Sequence, residues 1–409
     1  VASADAGDSI DVIVTASNIG GSASQTSAHT AVVAPVTTAG IHVVGNRLQN
    51  AAGQTVRLIG TDVSGSSYGC EQGFGFSDTP TGSSLYTPML SWKINSVTLG
   101  LNQDCWLGIN GVPSQFAGQN YVNYVKGEVT AMEKVGIYPV LAFFVGEPGA
   151  DAPNWGSTGN GNAPMPDNDH VPLFWERVAN TFKSDPNVIF RLYEEPWPEF
   201  FSAGTSASTW KCWSKGDVQY QPSGDSTSPP TPSSSTQNCN PLNSDAQGTD
   251  YKAVGMQSLV NIIRGTGATN VIQIPGVAFA DALSCDNTSS PVSCGFLAAG
   301  VRVTDTLSSP QLMADTDNYP DSGQFISTVA QVQATYGPVE QVMPIDMGEA
   351  GTVTNSFTTE EAFIGQYDTW GQSYYLSQWE TWASLITSYS TGKAGPGFGT
   401  WAFNHITAP

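Results

Sequence analysis

The sequence predicts an α/β fold, a (β/α)8 TIM barrel preceded by a short β-rich N-terminal extension. Two stretches and one alternation predict it. Val188-Ile189-Phe190-Arg191-Leu192-Tyr193-Glu194-Glu195-Pro196-Trp197 begins as an apolar strand and ends in two carboxylates before a proline, which cannot continue a ladder. Val342-Met343-Pro344-Ile345-Asp346-Met347-Gly348-Glu349 has the same form, ending in Glu349 before Ala350-Gly351. A strand that delivers a carboxylate at its C-terminal tip suits the functional end of such a barrel. Around these two, strand-like and helix-like segments alternate, as a parallel sheet requires.

Residues 1–37 differ in composition from the rest. Ser9 to Ala16 alternates as a half-buried strand, Asn18-Ile19-Gly20-Gly21 is a turn, and 22–33 is a second extended stretch. Two strands make no stable core. This piece resembles the last hairpin of an immunoglobulin-like repeat and is expected to be the remnant of an upstream module. Ala34 to Gly40 reads as a linker, so the expected division is 1–37 for remnant and linker and 38–409 for the barrel. Residues 41–48 and 55–60 form a hairpin that can close the barrel floor, its second strand running on as barrel strand one. The further strands are expected at 96–99, 137–145, 188–195, 271–274, 311–314, 342–349 and, for the eighth, 398–403. Helices are expected at 85–93, 121–135, 171–183, 251–264, 323–336 and 377–389.

Charged residues are only 12% of the 409, yet the net charge is −21. That balance argues against nucleic acid and anionic membrane surfaces, and suits a secreted, extracellular protein. No apolar run is long enough for a membrane helix, and no initiator methionine or signal peptide is present. Six cysteines in a lysine-poor chain favour disulfides. Pairing neighbours along the chain, Cys70–Cys105, Cys212–Cys239 and Cys285–Cys294, is the simplest connectivity. The Pro/Ser/Thr-rich stretch 221–241 is either a solvated insertion or a wall of the functional cleft. Spacings typical of zinc sites do not occur, so no metal or cofactor is expected.

Glu195 and Glu349, at the ends of strands four and seven, suggest glycoside hydrolysis, which needs two opposed carboxylates. From about residue 41 to the end, the chain resembles glycoside hydrolase family 5, the cellulase-type barrels, and secreted actinobacterial members most. The resemblance rests on Cys70-Glu71-Gln72-Gly73, the stretch Asn102 to Val112, Met165-Pro166-Asp167-Asn168-Asp169-His170, Leu192-Tyr193-Glu194-Glu195-Pro196, Gly255-Met256-Gln257-Ser258-Leu259 and Gly348-Glu349. It implies Glu195 as acid/base, Glu349 as nucleophile, Tyr319 beside the nucleophile, and Trp401 (or Phe403) as a sugar platform. It also implies a monomer acting on a polysaccharide or oligosaccharide.

Four positions depart from the family pattern. Thr98 stands for an arginine, Phe144 for a histidine, Glu194 for the asparagine that binds the sugar 2-hydroxyl, and Asp317 for a histidine. The expected result is a more negative site, raised carboxylate pKa values, altered specificity and poor hydrolysis of anionic carboxymethyl-cellulose. Two other readings stay open. One is a non-catalytic carbohydrate-binding barrel; the other is a cation site of Glu194, Glu195, Asp315, Asp317 and Glu349. Trp106, Trp155, Trp197, Trp210 and Trp213 offer sugar-stacking faces or core packing. Asn102 and Asp104 offer hydrogen bonds to hydroxyls. Trp370, Trp379 and Trp382 read as core, and Asn287-Thr288-Ser289 as a glycosylation acceptor.

Overall fold

The computed structural model describes residues 11–18, 20–28, 40–149, 163–198, 206–221, 231–235, 239, 251–285, 290–323, 325–354 and 356–408. Near the N-terminus, β1 (Ile13–Asn18) pairs antiparallel with β2 (Gly21–Thr26), and both strands are exposed. Next, β3 (Ile41–Val44), β4 (Arg47–Asn50) and β5 (Thr55–Val56) form a three-stranded sheet.

The core is a closed parallel barrel. Its strands are β6 (Ile59–Val63), β7 (Ser96–Asn102), β8 (Tyr138–Val145) and β9 (Ile189–Arg191). After the outlying hairpin of β10 (Val218–Gln221) and β11 (Thr231–Ser235), the barrel continues. Its second half is β12 (Ile272–Pro275), β13 (Leu312–Asn318), β14 (Ile345–Ala350) and β15 (Ser373–Leu376). A last small hairpin joins β16 (Ile386–Ser388) to β17 (Lys393–Ala394).

Period-two alternation sets what each strand does. Leu58, Val140, Ile189, Val271, Met313 and Tyr375 point inward and form an apolar floor. Ile41 and Leu48 of the β3–β4 hairpin pack onto the same cluster, so the hairpin closes the bottom of the barrel as expected. Residues one step along, such as Phe190 and Leu192, face outward into the core beneath the helices. The helix Val171–Phe182 shows why: Val171, Phe174, Trp175, Val178 and Phe182 are buried at helical spacing, with Pro172 at its first turn.

The eighth strand lies elsewhere than the sequence suggests. It is β15, bonded between β14 and β6. The preceding helix, Thr358–Trp370, ends at Gly371 in the left-handed conformation, φ 68°. Phe398–Thr407 is a helix. Phe398 and Ala402 are buried, and Trp401 stacks on His405, which is i to i+4 spacing rather than strand alternation. The segment expected as a helix at 377–389 is instead loop leading into β16.

All three neighbour-pair disulfides are present. Cys70–Cys105 clamps the segment after β6 to that after β7. Cys212–Cys239 spans the β10–β11 hairpin, whose connecting residues 222–230 lie outside the described residues.

Candidate active site

The same alternation that sends Ile189 to the floor sends Arg191 into the barrel one layer higher. Arg191 is fully buried. Its Nε donates to Asp315 Oδ2 at 2.6 Å, and its Nη2 donates to Asp317 Oδ1 at 2.6 Å and Oδ2 at 2.5 Å. Nη1 lies 3.4 Å from Glu194 Oε2. The guanidinium also sits over the Phe144 ring, 5.9 Å from its centroid. Glycine permits both placements. A Cβ on Gly348 would come within 2.0 Å of Asp315 Oδ1 and 3.1 Å of Arg191 Cζ, and one on Gly100 within 2.6 Å of Phe144 Cδ2. Arg191 therefore lies close against the seventh strand at Gly348, the residue before Glu349.

Glu349, half-buried, is on β14. Tyr319, just past β13, holds it. The Tyr319 hydroxyl is 2.6 Å from Glu349 Oε2 and 2.5 Å from Ser377 Oγ. The carboxylate can only accept, so Tyr319 donates its single proton there and Ser377 supplies the proton of the other bond. Burial and then the charge of Glu349 push the Tyr319 phenol up.

Glu195 sits on the turn after β9 with φ 44°, in the left-handed region. Ala278, Phe279 and Ala280, after β12, share that conformation at 58°, 62° and 57°. For residues with a Cβ this costs about 1–2 kcal/mol each, and such strain gathers at functional sites. The two turns are tied, Phe279 N–H donating to Pro196 O at 3.3 Å. Together they form one side of a cavity of about 400 Å³, lined by Glu195, Ala278, Phe279, Tyr319, Ser322 and Phe325 among others. Burial, then the negative charge of Glu349, push the Glu195 carboxyl up to about 8.

Asp62, Asp315 and Asp346 join Glu194, Glu195, Asp317 and Glu349 in this interior. Burial is the first cause raising Asp62, Glu194, Asp317 and Asp346, and the Arg191 charge opposes it on each. Thr98 stands in register with Asp62 across β6 and β7. The lining is thus acidic but not uncompensated. Glu194 and Asp317, expected to add bare charge, both face Arg191. Of the acidic residues grouped by sequence as a cation site, Glu194, Asp315 and Asp317 pair with that guanidinium.

Of the residues singled out by sequence, Glu194, Glu195, Glu349, Asp317, Tyr319 and Phe144 come together here. Trp197 is half-buried at the rim and stacks on Phe279, centroids 5.9 Å apart. Four expectations are corrected. Asn102 caps the helix Gln103–Leu107 through Cys105 N and donates to Ser67 O and Glu71 Oε2, which leaves it buried structure. Trp106 is buried against Tyr121, Phe174 and Phe182. Trp401 rides the last helix, stacked on Phe398 and His405, because the eighth strand is not there. Trp382 is 64% exposed rather than core. Trp210 and Trp213 are buried against one another. Trp155 and Asn287-Thr288-Ser289 lie outside the described residues. Sequence reasoning passed over Asp62, Ser377 and Phe279. Alternation from the floor residue Ile189 was the signal that turns Arg191 inward.

A parallel barrel that brings two glutamates to the carboxyl ends of its fourth and seventh strands is a glycosidase scaffold. The family model described as Cellulase (glycosyl hydrolase family 5) matches residues 50–391, and the chain belongs to that family. No curated protein sequence matches it. Among solved structures, it is similar to the β-glucanase SdGluc5_26A from Saccharophagus degradans. That match has 15% identity and a TM-score of 0.58, covering 90% of this chain and 93% of the other. The catalytic domain of Thermobifida fusca endoglucanase Cel5A, in complex with cellotetraose, is similar at 14% identity and TM-score 0.56, covering 91% and 98%. At such identities the likeness shows the fold.

Proposed function

We propose that the protein is a retaining glycoside hydrolase that cleaves a β-linked polysaccharide or oligosaccharide by double displacement. Glu195 protonates the leaving oxygen while Glu349 attacks the anomeric carbon from the opposite face. The C–O bond breaks as the Glu349–carbon bond forms. Glu195, now a carboxylate, takes a proton from water, which displaces Glu349. The observation that carries this reading is that one glutamate follows strand four and another ends strand seven of the same closed barrel, in different surroundings. Glu195 holds its proton at neutral pH, whereas Glu349 receives the Tyr319 hydrogen bond.

The glucanases among the structural neighbours, one solved with cellotetraose, support a β-glucan as substrate class. Glu194, beside the acid/base, supports a sugar preference different from that of family members with asparagine there, because an ionised carboxylate only accepts. The three disulfides support an oxidising, extracellular setting. Carboxymethyl-cellulose, an anion facing a chain of net charge −21, is expected to be a poor substrate.

The test is product release over a panel of neutral β-glycans, amino sugar polymers and pentosans. Wild type releases products from at least one, and Glu195→Gln and Glu349→Gln each abolish release while staying folded. Wild-type activity in either variant removes the role assigned to that residue.

A further inference from the structure

One stretch singled out by sequence, Met165 to His170, takes no part in the chemistry above, yet it gathers three ligating side chains. Asp167, Asp169 and His170 each offer a carboxylate oxygen or a ring nitrogen, and the three atoms lie within 4.8 Å of one another. Asp167 is buried. Its Oδ1 accepts the N–H groups of Asp169 at 3.1 Å and His170 at 2.7 Å, which leaves Oδ2 as the oxygen it can offer. His170 Nδ1 lies 3.8 Å from Asp169 Oδ1 and 3.4 Å from Glu147 O. Both separations are long for a hydrogen bond. Two atoms bound to one cation at about 2.0–2.2 Å, at right or tetrahedral angles, stand about 3–3.6 Å apart, so only a small closure is needed. Asp167 alone would be an ordinary helix cap. Asp104, on the helix after strand two, is not explained that way. It is fully buried; Oδ2 accepts from Asn110 Nδ2 at 3.0 Å, while Oδ1 has no hydrogen-bond partner among the described residues. Gln103, the residue before it, donates at 3.3 Å to the same Glu147 O that His170 approaches. The charges of His170 and Asp169 both act on the Asp104 carboxyl.

We propose that Asp104, Asp167, Asp169 and His170 form a zinc site that ties the segments following strands two and three to the helix Val171–Phe182. One imidazole nitrogen with carboxylate oxygens is a donor set that zinc takes, whereas calcium takes oxygen alone. Three carboxylates offset the charge of the ion and the positive end of the helix, which would otherwise repel it. Asp169 and His170 are part exposed, with side chains 43% and 20% accessible, so the ion enters from solvent past them. A chain of net charge −21 draws cations to its surface. All three cysteine pairs are disulfides, so no thiolate of theirs competes. Sequence spacing does not announce the site, because Asp104 comes from a different loop. None of the four residues has a part in the glycosidic reaction proposed above; the ion would hold loops of the barrel together.

The test uses the full, untagged chain, stripped with a chelator and titrated with Zn²⁺ by calorimetry, with Ca²⁺ titrated in parallel. One equivalent of Zn²⁺ is expected to bind saturably, more tightly than Ca²⁺, and to raise the melting temperature. Asp169→Asn and His170→Gln change part-exposed side chains, so the fold is not at stake. Each is expected to weaken Zn²⁺ by more than about 100-fold, and Asp104→Asn by at least about 10-fold. If Asp104→Asn does not fold, the other two variants decide. Zn²⁺ affinity unchanged in either Asp169→Asn or His170→Gln overturns the proposal. So does Zn²⁺ that binds no tighter than Ca²⁺, which is adventitious attraction to an acidic surface, and so does the lack of a saturable equivalent. Turnover is no part of the readout, so the zinc site stands or falls apart from the hydrolase reading.

Discussion

Tyr319 donates a hydrogen bond to Glu349 Oε2 at 2.6 Å while Ser377, at the end of the eighth strand, bonds the same phenolic oxygen. This links the ends of strands six, seven and eight through one hydroxyl. The bond fixes one carboxylate oxygen and leaves the other for the sugar carbon. Hydrogen bonds to charged groups contribute about 1.5–3 kcal/mol. Tyr319→Phe is therefore expected to lower kcat by about 10- to 150-fold with little change in melting temperature. Steady-state kinetics and thermal melts check it, and an unchanged kcat would take Tyr319 out of the site.

The alkaline side of the pH profile follows from the protonation of Glu195. Glu195 works as an acid only while protonated, and its carboxyl is pushed up to about 8, first by burial and then by Glu349. The alkaline limb of kcat/KM should fall near pH 8. An alkaline limb near the ordinary carboxylate range would mean that Glu195 is not the proton donor.

Stability should run the other way from that of a protein held by surface salt bridges. Burial raises Asp62, Glu194, Asp346 and Glu360 well above their ordinary values. The folded chain keeps protons that the unfolded chain has already released. The stabilisation is fully present below the unfolded carboxylate range and is lost as pH rises through the folded values. A net charge of −21 at pH 7 adds self-repulsion. Melting temperature is expected to fall steadily from about pH 5 to about pH 8. A rise across that window would contradict the buried-acid account.

Two tryptophans separate packing from binding. Trp106 is buried among Tyr121, Phe174 and Phe182, so Trp106→Ala should cost about 3–5 kcal/mol of stability. Trp401, on the last helix against Phe398 and His405, should lower the melting temperature in Trp401→Ala and leave KM unchanged. A tenfold rise in KM in Trp401→Ala would return it to the substrate.

Seven barrel strands were legible because their apolar runs end in polar or acidic residues at regular spacing. The eighth was not. Ser373-Tyr374-Tyr375-Leu376 is short, opens on a polar residue and follows directly on Gln372, whereas the longer Phe398 stretch is apolar enough to imitate a strand. That one displacement puts Trp401 on the last helix rather than on a barrel strand. Both glutamates were legible from strand ends, and Tyr319, Glu194 and Asp317 from the resemblance to the family. What Glu194 and Asp317 do was not, because charge in a sequence has no direction until alternation decides which side chains face each other. Read outward from Ile189, that alternation puts Arg191 among them.

Covalent trapping tests the two-glutamate mechanism most directly. A 2-deoxy-2-fluoro glycoside of the sugar favoured in the glycan panel, carrying a good leaving group, forms the Glu349 intermediate and slows its hydrolysis. Peptide mass mapping is predicted to find the fluorosugar ester on the peptide containing Glu349, with native products of retained anomeric configuration. An ester on any other residue, or products of inverted configuration, would contradict it.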